Sequence, residues 1–473
     1  MAAFLFSLPA SKRIRPMRLS CLATALLLAF ALPVRADDLP NPGAAGAGVA
    51  DSGSNGDKGD YESRSARFQT TYVWQRKQSF HADYSGDHSL LTSTERSYTF
   101  TTTGYFGIRP WQGGEAYLNV EVAQGLPFSN LLGTGGFTNG EITRSSGTIP
   151  KAYRQRLFLR QTWNQGGGEE KVEGGINQLA GSQDKNRFVL TVGNFSTLDV
   201  FDNNRYAKDP RVQFMNWGNM SYAAYDYAAD ARGFGWGFAG EWYKDDWTLR
   251  FGRMNTPQSP NLLPLDFQYF RHFGDQVEVE HRHNLGGRPG ALRVLAWRNQ
   301  AVLARYRDAI NYGLAHGEAP SIFKVRNGVQ AKYGLGLNVE QELADDLGFF
   351  LRVMTADGHT ETQAFTEVDS SFASGLVLNG NRWGRSQDTV GVSLMRNEIS
   401  KDRRDYLAAG GISFFIGDGA LNYRPENIFE TYYSLVAAKD LSLTLDYQRI
   451  QNPAYNADRG PVNVIGFRFH AEY

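Results

Sequence analysis

From Tyr61 onward, apolar and polar residues alternate in short windows, each closed by glycine, proline, asparagine or aspartate. In Ser65 to Gln75, Phe68, Thr70, Tyr72 and Trp74 share one face of an extended strand, while Arg67, Gln69 and Thr71 share the other. Ser97 to Arg109 opposes Tyr98, Phe100 and Phe106 to Thr99, Thr101 and Thr103. Glu115 to Ala123 opposes Leu118, Val120 and Val122 to Tyr117, Asn119 and Glu121. Near the end, Leu441, Leu443, Leu445 and Tyr447 oppose Ser442, Thr444, Asp446 and Gln448. The last window sets Ile465, Phe467, Phe469, Ala471 and Tyr473 against Gly466, Arg468, His470 and Glu472. Similar windows at 152–163, 187–194, 233–243, 247–254, 276–283, 290–299, 328–340, 347–355, 386–396, 407–416 and 428–436 bring the expected number of strands to sixteen. A marginal further window, 265–273, begins just after Pro264 and reads equally as loop.

The N-terminus changes the solvent these strands must suit. Lys12, Arg13, Arg15 and Arg18 precede an apolar run from Leu19 to Val34, and Val34-Arg35-Ala36 is a small-residue cleavage site, so residues 1–36 read as a secretory signal peptide. Met17 serves equally as the start, since Met17 to Ala36 is a complete signal by itself. The single cysteine, Cys21, lies before the apolar run and leaves with it, so the mature chain has no disulfide and no cysteine ligand. Cleavage removes five basic residues and no acidic one from a chain with 49 of each, leaving about −5 and no basic surplus for nucleic acid. Residues 37–60 contain no aromatic and read as a disordered periplasmic tail, leaving 61–473 as the folded domain.

The mature chain contains no second apolar run of spanning length, yet the sequence holds 30 Phe, 23 Tyr, 9 Trp and 51 Gly. Greasy strand faces with wet opposite faces suit a transmembrane antiparallel β-barrel, whose strands need only about 9 to 11 residues to span. Hydrocarbon offers backbone amides no partner, so such a sheet must close on itself. The final strand ending on the outward aromatic Tyr473 is the expected handle for the barrel-assembly machinery and the seal against the first strand. The expectation is therefore an all-β barrel of about sixteen strands in the outer membrane of a Gram-negative bacterium, in contact with its lipid, and compatible with a homo-oligomer. A soluble propeller or sandwich is the alternative fold, but no repeat of blade length is present.

Candidate chemistry lies in the lumen. No G-x-S-x-G, H-E-x-x-H or cysteine nucleophile is present, and His281 and His283 share a strand face without a clear third ligand, so no enzyme, metal or cofactor is expected. Opposite Leu157 and Leu159, the strand at 152–163 carries Arg154, Arg156 and Arg160. Opposite Val277 and Val279, the next charged face carries Glu278, Glu280 and Arg282, with Arg250 and Arg293 also expected to point inward. Charge costs about 2–4 kcal/mol on a lipid face at mid-bilayer, so these belong inside. The stretch 194–233 has no strand period and is dense in charge and rings, with Asp202, Arg205, Asp209, Arg211, Trp217, Asp226 and Asp230. A long irregular stretch in a barrel is expected to fold inward and narrow the channel. Its mixture suits sugars, whose C–H faces stack on rings while hydroxyls bond in pairs to Arg, Asp and Asn.

Phe201-Asp202, Tyr206-Ala207, Asp209-Pro210-Arg211, Phe214-Met-Asn-Trp217 and Tyr225-Asp226-Tyr227-Ala-Ala-Asp230 resemble the OprB-like carbohydrate-selective porins. So do Glu121-Val-Ala-Gln-Gly125, Arg156-Leu-Phe-Leu-Arg160-Gln-Thr, Gly287-Arg-Pro-Gly290, Glu430-Thr-Tyr-Tyr-Ser434 and the closing His470-Ala-Glu-Tyr473, although Tyr473 departs from the commoner terminal Phe. The resemblance covers roughly Gln69 to Tyr473. It implies a sixteen-stranded channel through which small sugars such as glucose diffuse passively, past a constriction of Arg, acidic and aromatic side chains. A general or anion-leaning porin is the nearest alternative, because three arginines on one strand also attract anions. A secreted carbohydrate-binding β protein stands further off.

Overall fold

The computed structural model describes residues 61–142 and 147–473. The expected signal peptide and tail, residues 1–60, lie outside the described residues.

Among the described residues, sixteen strands close into one antiparallel barrel. They are β1 (Arg64–Lys77), β2 (Glu95–Trp111), β3 (Gly114–Leu126), β4 (Gly147–Asn164), β7 (Arg187–Phe195), β8 (Gly235–Lys244), β9 (Trp247–Met254), β10 (Phe273–Leu285), β11 (Arg288–Leu303), β12 (Gly328–Ala344), β13 (Leu347–Ala356), β14 (Ser370–Gly380), β15 (Arg385–Glu398), β16 (Glu426–Ala438), β17 (Leu441–Gln451) and β18 (Val462–Glu472). A separate hairpin, β5 (Glu169–Val172) with β6 (Gly181–Asp184), interrupts the connection from β4 to β7. Among the described residues, four short or medium α-helices lie between strands: α1 (Trp217–Met220), α2 (Tyr306–His316), α3 (Ile322–Val325) and α4 (Lys401–Ala408).

Closure is by β1 against β18, in register from Gln69 opposite Glu472 to Lys77 opposite Val464. Two further main-chain bonds extend the seam to Tyr473, whose N–H donates to the Phe68 carbonyl at 2.7 Å and whose carbonyl accepts from Phe68 N at 2.8 Å. Phe68, Phe106, Leu118, Leu157, Leu159, Val192, Phe251, Val277, Val279 and Val294 are exposed on the outer wall. Exposed apolar side chains this numerous form a lipid-facing belt rather than a water-facing surface. Short turns at 112–113, 245–246, 286–287, 345–346, 381–384 and 439–440 mark one end of the barrel, which also carries the β5–β6 hairpin of the connection 165–186, and the other long connections mark the opposite end.

Two windows depart from the expectation, and they offset each other in the count. Residues 407–416 are not a strand: α4 ends at Ala408, and the chain then runs irregularly over the long-loop end. The Ser400 hydroxyl caps that helix by accepting from Arg403 N at 3.1 Å, with Asp402 in the first turn. The alternating apolar residues that mimic a strand instead fill the cap, where Phe415 packs edge-on to Phe137 with centroids 5.2 Å apart. The omitted strand is β14. Of its buried inward residues only Ser371 is polar, while Ala373, Gly375 and Val377 are small or apolar, so most of the polar half of the alternation is missing. Residues 265–273 are loop up to Phe273, where β10 begins.

Candidate functional site

The connection from β7 to β8, residues 196–234, lies inside the barrel, and most of 200–229 is buried, without a break from 214 to 229. It starts with a capping box: Ser196 Oγ accepts from Leu198 N, and Asp199 Oδ2 accepts from Ser196 N at 2.9 Å. From there the strand walls hold it on several sides.

Asp202, in the left-handed region at φ 54°, is the first anchor. Its carboxylate accepts from Arg352 Nε of β13 at 2.9 Å, Asn338 Nδ2 of β12 at 2.6 Å and Ser221 Oγ at 2.9 Å. Its own N–H donates to Glu278 of β10 at 2.8 Å. Asp209 turns the chain by accepting from Arg211 N at 2.8 Å, an arrangement that short acidic side chains favour. Arg211 then reaches the far wall, donating to Glu121 at 2.6 Å, Glu141 at 2.7 Å, Gln69 at 2.6 Å and the Tyr105 hydroxyl at 3.0 Å. Glu430 of β16 accepts from Asn216 N at 3.0 Å and Asn219 Nδ2 at 2.6 Å, while Arg468 of β18 donates to the carbonyls of Pro210 and Gln213 at 2.8 and 2.6 Å. Asp226 accepts from Gln363 N at 2.9 Å and Ala364 N at 2.8 Å, with Lys332 Nζ 3.3 Å away. Asp230 closes a turn by accepting from Arg232 N and Phe234 N at 2.9 and 3.1 Å.

Several residues expected to face the solute are therefore anchors. Asp202, Arg211 and Asp226 are buried braces, and Asp209 and Asp230 shape turns. Trp217 is buried in the cap between Phe365 and Phe137, with centroids 4.8 and 5.6 Å away. Arg154 needs a correction: it stands exposed on the outer face, over the Trp236 ring at 5.1 Å. The register passes from Asn119–Arg156 directly to Val120–Arg154, leaving Gln155 as a bulge. One extra residue reverses the alternation beyond it.

The inner wall carries a set of matched charges, partly open at Arg156, Arg160 and Arg205 and buried at Arg250 and Arg293. On β4, Arg156 makes a bidentate pair with Asp199, both bonds 2.7 Å, and lies over the Phe234 ring. Arg160 donates to the Asn177 carbonyl at 2.9 Å, is 3.6 Å from Glu115, and covers Tyr117 and Phe158. Across β8 to β12 runs a ladder of alternating sign. The register sets Glu241 opposite Arg250, Arg250 opposite Glu278, and Glu280 opposite Arg293. Arg250 pairs with Glu241 and Glu278 at 2.9 Å and with Glu280 at 3.0 Å; Arg293 pairs with Glu280 at 2.7 Å and Glu340 at 3.1 Å. The ladder ends at Arg205, whose N–H donates to Glu340 at 2.7 Å and whose guanidinium is 3.3 Å from Glu342. There a cavity of about 180 Å³ is lined by Arg205, Tyr206, Arg282, His283, Arg293 and Glu340 among others.

Lys208 lies beside this set, its ammonium donating to the carbonyls of Phe201 and Asp202 at 3.1 Å. Burial pushes it down to about 8, against the opposing pull of Asp202. The partners that periodicity did not single out are Asp199, Glu241, Glu340, Glu342, Asn338 and Arg352. Alternation says which face a residue takes, not which strand it meets. His281 and His283 stack 6.1 Å apart, and among the described residues no group of three metal-ligating side chains is present.

A family model described as carbohydrate-selective porin, OprB family, matches residues 107–473. No curated protein matches the chain. Among solved structures, the high-pH structure of OprB from Pseudomonas putida is similar with a TM-score of 0.64 and 16% identity, over 86% of this chain and 94% of that one. The outer membrane channel DcaP of Acinetobacter baumannii gives 0.48 at 9% identity over 87% and 97%. OccK2 of Pseudomonas aeruginosa gives 0.43 at 9% identity over the same shares, 87% and 97%. Identities this low bear on fold alone. The family match is of another kind: it runs from within β2 to the last residue of β18 and beyond to Tyr473, through the whole inner segment. This chain belongs to the OprB family of carbohydrate-selective porins.

Proposed function

We propose that this porin passes monosaccharides such as glucose by passive diffusion into the periplasm, and that the inner segment narrows the path. The family and the barrel imply the outer membrane of a Gram-negative bacterium, and a channel rather than an enzyme. The observation that carries the monosaccharide reading is the pairing of charge. Arg156 with Asp199, Arg160 with Glu115 and Arg205 with Glu342 leave partly exposed donors and acceptors side by side, and the buried pairs of Arg250 and Arg293 behind them are likewise balanced. A neutral polyol uses both at once, through hydroxyls that donate and accept. A small anion gains little where each guanidinium already has a carboxylate, and this argues against the anion-leaning alternative. A site near 1 mM affinity is worth only about −4 kcal/mol, enough to bias admission without trapping the solute.

Liposome swelling with purified protein tests this, comparing glucose, a disaccharide, an amino acid of glucose size and a small anion. Glucose should enter faster than size alone dictates, and Arg205→Ala should remove that advantage while swelling persists. Uptake ordered by size alone in the wild type would reject the sugar-selective path.

A further inference from the structure

One part of the outer wall carries charge that nothing answers. Arg76 of β1 and Arg96 of β2 are direct register partners, and both are exposed. They share the outward face with Tyr72, Trp74, Tyr98 and Phe100, whose register partners are successive: Trp74 with Tyr98 and Tyr72 with Phe100. Like charges directly opposed across a strand pair are destabilising. Among the described residues, no carboxylate pairs with either arginine.

Elsewhere at this end of the barrel, other outward arginines have partners, two of them acids, while Arg298 is held by Gln300 and the rings of Phe273 and Tyr333. Arg253 is bidentate to Asp275 at 2.6 and 2.8 Å, and Arg396 donates to Glu398 at 2.6 Å. Arg449 of β17 extends the unanswered set. It is exposed on the outer face and donates to Asn463 Oδ1 at 3.4 Å, with no carboxylate paired to it among the described residues. The pairing of Arg76 with Ile465 and of Arg449 with Asn463 puts Arg449 two strands across and one step up from Arg76. Strand spacing and rise make that about 12 Å, within the reach of two arginine arms closing on one headgroup.

The height is informative. All three arginines lie at the long-loop end, the side that faces outward in barrels of this kind. The Trp74, Tyr98 and Tyr72 rings lie next below them, and belts of Trp and Tyr mark the level of the headgroups. At that level the guanidinium fork meets phosphate, which it binds in bidentate fashion.

We propose that Arg76, Arg96 and Arg449 form a binding site for a phosphorylated glycolipid of the outer leaflet, the lipid phosphates supplying the anion that the wall lacks. The proposal rests on the long loops facing outward and is independent of which solute passes. Native mass spectrometry of the full protein released from detergent tests it. The probes are a bisphosphorylated glucosamine-disaccharide lipid, the same lipid without phosphates, and inorganic phosphate.

Wild-type protein should retain the phosphorylated lipid about tenfold more than the dephosphorylated one, and Arg76→Gln/Arg96→Gln/Arg449→Gln should reduce that discrimination to about twofold or less. Arg96→Gln alone should lower it about threefold, which gives a reading even if the triple variant assembles poorly. Heat-modifiable migration and glucose swelling of the variants should match the wild type. Equal retention of the two lipids by wild type, or unchanged discrimination in Arg96→Gln, overturns the proposal. Displacement of the lipid by inorganic phosphate would identify a free-anion site instead and also overturn it. Loss of a lipid-free oligomer in the variants would assign the arginines to contact between copies and overturn it as well.

Discussion

Arg250 shows why the lumen charges hold together. Three glutamates on two neighbouring strands converge on one guanidinium, whose fixed planar fork of N–H donors meets several carboxylates in different directions at once. Arg250→Ala leaves those carboxylates facing one another, and removing one member of a buried pair costs about 3–5 kcal/mol. Its melting midpoint, read from heat-modifiable migration, should fall clearly below wild type, with Arg250→Lys in between; a wild-type midpoint for Arg250→Ala would refute the structural role. Lys208 makes a different prediction, about pH. Burial holds its pKa at about 8, so its charge is present below that pH and is lost as pH rises through it. Cation preference, measured as a reversal potential, should therefore grow from about pH 7 to about pH 9 in the wild type and stay flat over that window in Lys208→Met. A flat wild-type profile would count against it. Residue-scale legibility was uneven for a physical reason. The faces of Arg156, Arg250, Glu280 and Arg293 follow from strand alternation, whereas Arg154 needs knowledge of the bulge at Gln155, which no local sequence feature announces.

At the scale of elements, the strands with one greasy and one polar face were readable because lipid and water impose opposite demands on alternate residues. β14 escaped because its inner face does not meet water. Ala373 and Val377 belong to the apolar cluster with Ala207 and Phe214 of the inner segment, so the long-range fold erased the local signal. The stretch 407–416 deceived for the converse reason, its apolar residues serving a cap above the barrel. The inner segment was legible as an irregular, charged stretch, but its anchors were not, since Asp202 meets residues 136 and 150 positions away. Those contacts predict what happens when it is released. Asp202→Ala removes the acceptor shared by Arg352 and Asn338 and leaves the Arg352 cation buried without its carboxylate. Single-channel conductance should rise and the preference for glucose over a disaccharide should shrink, while the barrel still shows heat-modifiable migration. Unchanged conductance in folded Asp202→Ala protein would mean that the segment does not narrow the path.

For the whole molecule, the balance of lumen charge separates a sugar channel from an ion channel. The ladder from Glu241 to Arg205 alternates in sign because adjacent strands bring opposite charges into register, and so the wall presents dipoles rather than net charge. Fields from paired charges decay quickly, and at about 0.1 M salt even unpaired exposed charges are screened beyond about 10 Å. The wild-type channel should accordingly discriminate weakly between potassium and chloride, by about threefold or less, at ordinary ionic strength. Unbalancing the open end of the ladder tests the idea without touching its buried centre. Glu340→Gln/Glu342→Gln keeps hydrogen-bonding atoms beside Arg205, Arg288 and Arg293 but removes two negative charges from partly exposed positions. Reversal potentials should then move toward anion preference, most at low salt, while glucose swelling changes little because a neutral solute does not feel the added charge. If the variant's selectivity equals wild type at low salt, those carboxylates do not border the path; if glucose flux collapses instead, they contact the sugar as acceptors that an amide cannot replace.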